Sequence, residues 1–223
     1  MKDKAKQITK SPRQLLILGT GTFAEEIADV VSEIPGIIVT GFVENMDRRL
    51  CEKRLGNLPI LWVDELSHIS KDYEAICGLG TTHRYRYINQ VRKYNVTFAT
   101  LVHPSSRVSH KSSMGEGTFI SSGATIAAYT KLGRHVNVNR GVLIGHHTHI
   151  GSFVTIGPGA NIAGNSRIED RTYIGMGALV LDHISVGSHS IVGAGAVVTK
   201  NVPDNVQVVG IPAKIVKQNI DGK

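Results

Sequence analysis

The stretch NRGVLIGHHTHIGSFVTIGPGANIAGNSRI, residues 139–168, carries isoleucine at every sixth position from Ile144 to Ile168. The same spacing runs unbroken from Val102 to Val198, and all seventeen positions on it are aliphatic. Four residues after each of them, the side chain is almost always small or β-branched. No helix or simple strand has this period. It predicts a parallel β-helix of about six coils, in which three six-residue units complete one triangular turn.

Glycine often follows the aliphatic residue of a unit directly, and we expect these glycines to provide the bends between short strands. The run ends where Pro203 and Asp204 break the register, and a short strand or helix is expected to cap the last coil. The glycines are Gly115, Gly133, Gly145, Gly151, Gly157, Gly175, Gly187 and Gly193.

The first hundred residues follow a different pattern. The stretch LLILGTGTFAEEIADVVSEI (15–34) predicts a strand, a glycine turn and a helix. A second strand is predicted at 37–43 and a third at 75–80, ahead of a basic helix. We therefore predict a small parallel Rossmann-like α/β domain over 1–100, a β-helix over 101–203 and a C-terminal cap over 204–223.

The turn GTGTFA (19–24) resembles half of a dinucleotide-binding fingerprint, in which glycines let the backbone approach a phosphate. Glu44 follows the second strand about where a ribose-binding carboxylate belongs. We favour binding of a nucleotide-sugar phosphate over a redox cofactor, with a glycine turn that binds nothing as the alternative. Arg84 and Arg86 either meet a phosphate beside the glycine-rich end of the third strand or lie on a solvated helix face.

Composition narrows the class of protein. The chain has 223 residues and a formal charge of +7, but only 5% of its residues are aromatic and its basic residues are dispersed, which argues against nucleic acid and favours small acidic ligands. Two cysteines, no long apolar run and no signal-peptide pattern in MKDKAKQITK lead us to expect a cytoplasmic protein without membrane contact.

The hexapeptide repeats, the terminal VVGIPAKIV (208–216) and the α/β domain in front together resemble the bacterial hexapeptide-repeat sugar acyltransferases. This family includes sialic acid O-acetyltransferases and the N-acetyltransferases of UDP-linked 4-amino sugars. The resemblance implies a left-handed β-helix, acetyl-CoA as cosubstrate, no metal, and a homotrimer with active sites between neighbouring prisms. It also implies that the α/β domain holds the nucleotide of the sugar donor.

The family's motifs assign roles to individual residues. His146 matches the catalytic histidine, and His147 stands where the family has a carboxylate. Asn139 matches a sugar-contacting asparagine, and Gly164 matches a glycine whose N–H faces the thioester carbonyl. Two sets complete the predicted sites: Gly19, Gly21, Thr22 and Phe23 for the nucleotide sugar, and Ala194, Lys200 and Lys214, with Gly164, for CoA.

The repeat itself supports part of this assignment, because residues 18 apart stack on adjacent coils and His146 therefore lies between Ala128 and Gly164. The resemblance implies an acetyl-CoA-dependent N-acetyltransferase of a nucleotide-linked amino sugar, acting in surface-glycan synthesis by direct transfer with a histidine base. The alternatives are an O-acetyltransferase of sialic acid or another sugar, a non-catalytic nucleotide-sugar-binding protein, a zinc hydrase using His146, His147 and His149, and a purely structural histidine cluster.

Overall fold

The computed structural model describes residues 11–69 and 71–223, so the start of the predicted first domain, with MKDKAKQITK, lies outside the described residues. The α/β domain contains β1 (Arg13–Leu18), α1 (Thr22–Ser32), β2 (Ile37–Glu44), β3 (Arg54–Leu55), β4 (Leu58–Trp62), α2 (Leu66–Ile69), β5 (Glu74–Cys77), α3 (Tyr85–Arg92) and β6 (Thr97–Phe98). Short 3-10 turns lie at Arg48–Glu52, Val63–Glu65 and Thr82–Arg84.

These strands form one sheet in the order β3-β4-β2-β1-β5-β6, parallel except for the β3–β4 hairpin. The three strands predicted from the sequence are β1, β2 and β5. The hairpin at residues 54–62 adds the strand beside β2 that the apolar pattern did not reveal. Because β1, β2 and β5 run in parallel, their carboxyl ends meet at one edge of the sheet, with α1 starting from the end of β1.

From Leu101 onward the chain is a triangular prism of two-residue strands. Face 1 joins β7 (Leu101–Val102), β10 (Phe119–Ile120), β13 (Asn137–Val138), β16 (Thr155–Ile156), β19 (Tyr173–Ile174), β22 (Ile191–Val192), β24 (Gln207–Val209) and β25 (Lys214–Lys217). Face 2 joins β8 (Arg107–Val108), β11 (Thr125–Ile126), β14 (Leu143–Ile144), β17 (Asn161–Ile162), β20 (Leu179–Val180) and β23 (Val197–Val198). Face 3 joins β9 (Ser113–Met114), β12 (Lys131–Leu132), β15 (His149–Ile150), β18 (Arg167–Ile168) and β21 (Ser185–Val186).

The six-residue row forms the core of the prism, as predicted. From Ile120 to Val198 every residue of the row is at most 5% exposed. The small residues four positions later are buried as well, and the hydroxyls among them donate to carbonyls of the next coil, as Thr130 does to Gly145 at 2.8 Å. The predicted order of a small parallel α/β sheet followed by a hexapeptide β-helix is confirmed.

The prediction that the glycines after the aliphatic row provide the bends is wrong. The residue with left-handed backbone lies two positions later, as at His147, where φ is 56°. Gly145 is required for another reason: a Cβ there would lie 2.4 Å from the backbone N of Gly164 on the next coil. These glycines therefore allow adjacent coils to stack closely, and the bends use histidine, asparagine, phenylalanine, arginine, tyrosine or other glycines.

The α/β domain packs on face 1 and its two bordering edges. Arg84 is the central contact: it is 1% exposed and donates to the carbonyls of His135 and Val154 and to the hydroxyl of Thr155. Neither role considered for Arg84 from the sequence is correct, since it contacts no solvent and no ligand cavity. It holds the α/β domain and the prism together.

The last residues of the chain form a second connection between the two halves. After β25, the carbonyl of Lys223 accepts from the N–H of Thr82 at 2.6 Å, and Lys223 N–H donates to the Thr82 hydroxyl at 2.8 Å. The carboxylate of Asp221 pairs with Arg171 and His189 on the prism, each at 2.7 Å. None of the described helices has the length and apolar character needed to span a membrane.

Candidate active site

One column of residues defines the first part of the site. His146, Gly164, Asp182 and Lys200 follow one another at 18-residue intervals along edge 2/3, the edge between faces 2 and 3. A Cβ built on Gly164 would lie 2.9 Å from Cε1 and 3.0 Å from Nε2 of His146, so the imidazole lies directly over this glycine. The Gly164 N–H donates no hydrogen bond within the described chain. The column therefore combines a base with an unused backbone donor.

The second histidine of the pair lies against the first. Nδ1 of His146 and Nδ1 of His147 are 3.1 Å apart, and the two exposed rings are nearly perpendicular at 85°. His147 also stacks on Tyr129, with ring centroids 4.7 Å apart, and the ammonium of Lys111 lies 3.2 Å from the Tyr129 hydroxyl. A ladder of side chains on successive coils thus supports His147.

The three histidines 146, 147 and 149 do not converge. His149 lies on β15 of face 3, with its side chain outside the His146–His147 contact. Within residues 11–69 and 71–223, no three His, Cys, Asp or Glu side chains are arranged to hold a metal ion. The donor set that a zinc hydrase would need is not assembled in this part of the chain.

The second part of the site is a cavity of about 470 Å³ at the carboxyl edge of the α/β sheet. Gly19 has a φ of +106°, and a Cβ there would also lie 3.0 Å from Leu79 Cδ2, so this turn requires glycine. Gly21 is the N-cap of α1. The cavity is lined by Gly19, Thr20, Gly21, Glu44, Asn45, Met46, Asp47, Leu50, Leu79, Thr81, His83, Arg86 and Tyr87.

Glu44 shapes one wall of this cavity. One carboxylate oxygen accepts the N–H groups of Asn45 and Met46 at 2.9 and 2.6 Å, and the other accepts the Thr20 hydroxyl at 2.6 Å. Burial acts to raise the pKa of Glu44, but these hydrogen bonds together hold it below its usual value. Glu44 is thus a buried anion that fixes the loop after β2 and lines the cavity.

Two basic side chains stand at the rim of the cavity. Arg86 is largely exposed, with its guanidinium 4.0 Å from the Asp221 carboxylate, and Nδ1 of His83 is 3.9 Å from the same carboxylate. Their positions fit the binding of a phosphate beside the N-terminus of α1. Thr22 and Phe23, by contrast, do not line the cavity. Thr22 is exposed, and Phe23 packs edge-on against Phe119 of the prism at 6.3 Å.

The other predicted contacts are spread over the prism. Asn139 lies on edge 1/2, is 8% exposed and donates its amide to the carbonyl of Ile156 at 2.8 Å. Ala194 lies on the same edge, beside a cavity of about 390 Å³. Lys200 ends the column below His146, and Lys214 begins β25 at the end of face 1. Within one chain, these residues do not form one site.

The two parts of the site are also separated within one chain. The α/β domain covers face 1, and edge 2/3 is the edge of the triangle opposite that face. His146 is therefore directed away from the domain that contains the glycine-turn cavity.

Comparison with known proteins finds one family model and several similar solved structures. Residues 165–200 match the family model described as bacterial transferase hexapeptide (six repeats). Two solved structures superpose with TM-scores of 0.84, each covering 92% of this chain. They are PerB from Caulobacter crescentus in complex with CoA and GDP-perosamine (25% identity, 97% of that chain) and the acetyltransferase domain of PglB from Neisseria gonorrhoeae in complex with acetyl coenzyme A (26% identity, 100% of that chain).

The chain shares with these solved structures both an α/β domain and a hexapeptide-repeat β-helix. WeeI from Acinetobacter baumannii is similar too, with 26% identity, a TM-score of 0.81, and coverage of 92% of this chain and all of the other. No curated protein sequence matches the chain. Since these solved structures align with both the α/β domain and the prism, the likeness extends well beyond the short segment matched by the family model.

Several residues that line the cavity were not identified from the sequence. Asn45, Thr81 and His83 belong to the cavity wall, yet no motif marks them, and Thr20 lies within the glycine turn but is absent from the predicted contacts. The signal that could have found them is topological, because residues that follow β1, β2 and β5 must share the carboxyl edge of a parallel sheet. The contact between Asp221 and the rim has no local sequence signal at all.

Proposed function

We propose that this acyltransferase moves the acetyl group of acetyl-CoA to the amine of a nucleotide-linked amino sugar. The observation that carries the proposal is the position of the His146 imidazole directly over Gly164, whose N–H is unused. The solved structures described above, one with CoA and GDP-perosamine and one with acetyl coenzyme A, support the choice of cosubstrate and acceptor. We place the reaction in the cytoplasm, in the synthesis of surface glycans.

The chemistry needs one base and one oxyanion donor. As the amine nitrogen attacks the thioester carbonyl, Nε2 of His146 takes a proton from it, and the N–H of Gly164 donates to the oxygen that becomes negative. Collapse of the tetrahedral intermediate breaks the C–S bond, and the imidazolium returns a proton to the CoA sulfur. Amide and thiol are the products, with no acyl-enzyme intermediate. Lys200, lower in the same column, is placed to meet the phosphates of CoA.

A homotrimer would bring the separated parts together. In this proposal, the glycine-turn cavity of one chain holds the nucleotide, and edge 2/3 of the next chain supplies His146. Asn139 and Ala194 contribute from edge 1/2 of the prism that neighbours this histidine. Apolar side chains left exposed on the single chain near edge 1/2 and face 2 support such an interface: Leu143, Met176, Leu179 and Leu181.

The test is CoA release from acetyl-CoA in the presence of UDP-, GDP-, TDP- and CMP-linked sugars, each with and without a free amine. We expect release only with an amino sugar, and we expect His146→Ala to lower the rate about 10²- to 10⁴-fold. His149→Ala is the matched control, since it removes a histidine three residues away on face 3. Release with amine-free sugars would indicate O-acetylation instead. Binding of nucleotide sugar without CoA release, or full activity of His146→Ala, would refute the mechanism.

A further inference from the structure

The contact between the two histidines restricts their protonation. A hydrogen bond between Nδ1 of His146 and Nδ1 of His147, 3.1 Å apart, holds one proton, because two protonated nitrogens repel and two bare ones cannot bond. One ring must donate and the other accept. Which ring donates decides what His146 can do at its other nitrogen.

The surroundings of His146 point to one of the two arrangements. Its Nε2 lies over Gly164 and has no hydrogen-bond partner among the described residues, so this is the nitrogen that faces the reaction. A neutral imidazole that is to accept a proton at Nε2 must carry its own proton at Nδ1. The Nδ1 of His147 is then the acceptor.

We propose that His147 is a positioning residue whose neutral imidazole accepts the Nδ1–H of His146 and so keeps Nε2 of His146 bare. The inference rests on the proposed function, in which His146 is the base. A carboxylate at this position would also accept the Nδ1–H of His146, but with a negative charge, whereas His147 accepts it as a neutral ring. Protonation of His147 would remove the acceptor, so the pair works only while it is uncharged.

The neighbouring coils fit this role. The Tyr129 ring, 4.7 Å away and inclined by 32°, holds the His147 ring from one side, and Lys111 places an ammonium one coil further on the same ladder. Asn165 lies on the next coil and separates His147 from His183, whose Nε2 is 3.7 Å from Asp182. The charged neighbour on the Tyr129 side is thus the Lys111 ammonium.

The first test needs no substrate. Nitrogen-15 NMR of the histidine rings in the intact protein reports which nitrogen carries the proton. We expect a protonated Nδ1 on His146 and a bare Nδ1 on His147 near neutral pH, and we expect this preference to be lost on His146 in His147→Ala. A bare Nδ1 on His146 in the wild-type protein would overturn the proposal, whatever the fate of the proposed reaction.

The second test uses kinetics of full-length variants. His147→Ala should lower kcat about 10- to 100-fold with little change in KM, and His147→Asn, which keeps an acceptor and tolerates the left-handed backbone, should recover most of the loss. Asn165→Ala is the control for backbone strain, because its φ of 59° matches the 56° of His147. Equal activity of His147→Ala and Asn165→Ala would refute the positioning role.

The pH profile tests whether the side chain at position 147 contacts His146 in the working enzyme. A carboxylate at position 147 would stabilise the imidazolium of His146, so the acidic limb of kcat should move to higher pH in His147→Asp. The rate at alkaline pH should be retained, because the acceptor is still present. An unchanged limb would show that the side chain at position 147 does not contact His146 in the working enzyme, and that result would contradict the proposal.

Discussion

Replacement of Arg84 should uncouple the two halves of the molecule. Its guanidinium makes five hydrogen bonds of 2.6–3.2 Å to three backbone carbonyls and one hydroxyl, and none of the carboxylates described in the structure pairs with it. Burial lowers the pKa of Arg84 to about 10, so it remains charged at neutral pH. Arg84→Ala would leave the carbonyl of His135 without a donor and open a cavity at the interface. From the usual effect of breaking a buried charged network, we expect a loss of about 3–5 kcal/mol.

Urea denaturation followed by two signals would measure this effect. The single tryptophan, Trp62, reports on the α/β domain, and far-ultraviolet circular dichroism reports on the secondary structure of both halves. We expect the two transitions to coincide in the wild-type protein and to separate in Arg84→Ala. Arg86→Ala, two residues away on an exposed side chain, should change stability by less than about 0.5 kcal/mol. Coincident transitions in Arg84→Ala with a loss below about 1 kcal/mol would refute the reasoning.

Three further changes have defined outcomes. Burial, together with nearby arginines, lowers the pKa of His135 to about 3. Between pH 7 and pH 5 only the unfolded chain takes up a proton at this residue, so the free energy of unfolding should fall by about 2 kcal/mol. In His135→Asn, the urea midpoint should depend less on pH. Gly164→Ala should displace the imidazole above it and lower kcat at least about tenfold, with little change in melting temperature. Gly145→Ala should instead lower the melting temperature, because its methyl group would lie 2.4 Å from a backbone atom of the next coil. The reverse pattern would contradict both assignments. Burial raises the pKa of the Cys77 thiol to about 11, so a thiol reagent at pH 8 should modify Cys51 first and reach Cys77 only on unfolding.

The β-helix of this protein is predictable from sequence because each coil repeats the same contacts with the coil before it and the coil after it. Each aliphatic residue from Val102 to Val198 points into the same core, so its spacing alone identifies the prism and places His146 over Gly164. The role of Gly145 was misassigned, because the pattern shows where glycine recurs but not whether a bend or a neighbouring coil requires it.

Contacts between the two halves lie beyond such reasoning. Arg84 follows a strand in a basic segment, and nothing local distinguishes it from exposed Arg86. Arg84 is buried because the α/β domain packs on face 1. That packing depends on the shapes of the two surfaces and not on a repeat in the sequence. Phe23 was assigned to substrate by its position in a motif, yet it packs on Phe119 for the same reason.

The register of 18 residues has a consequence for how such a chain can change in length. His146 and Lys200 share one edge three coils apart, a rise of ~14 Å at the usual spacing between strands. An insertion that is not a whole coil would rotate every residue below it onto another edge and separate the imidazole from its column. Adjacent coils are ~4.8 Å apart, so the distance from His146 to a lysine on the same edge can change only in steps of one coil.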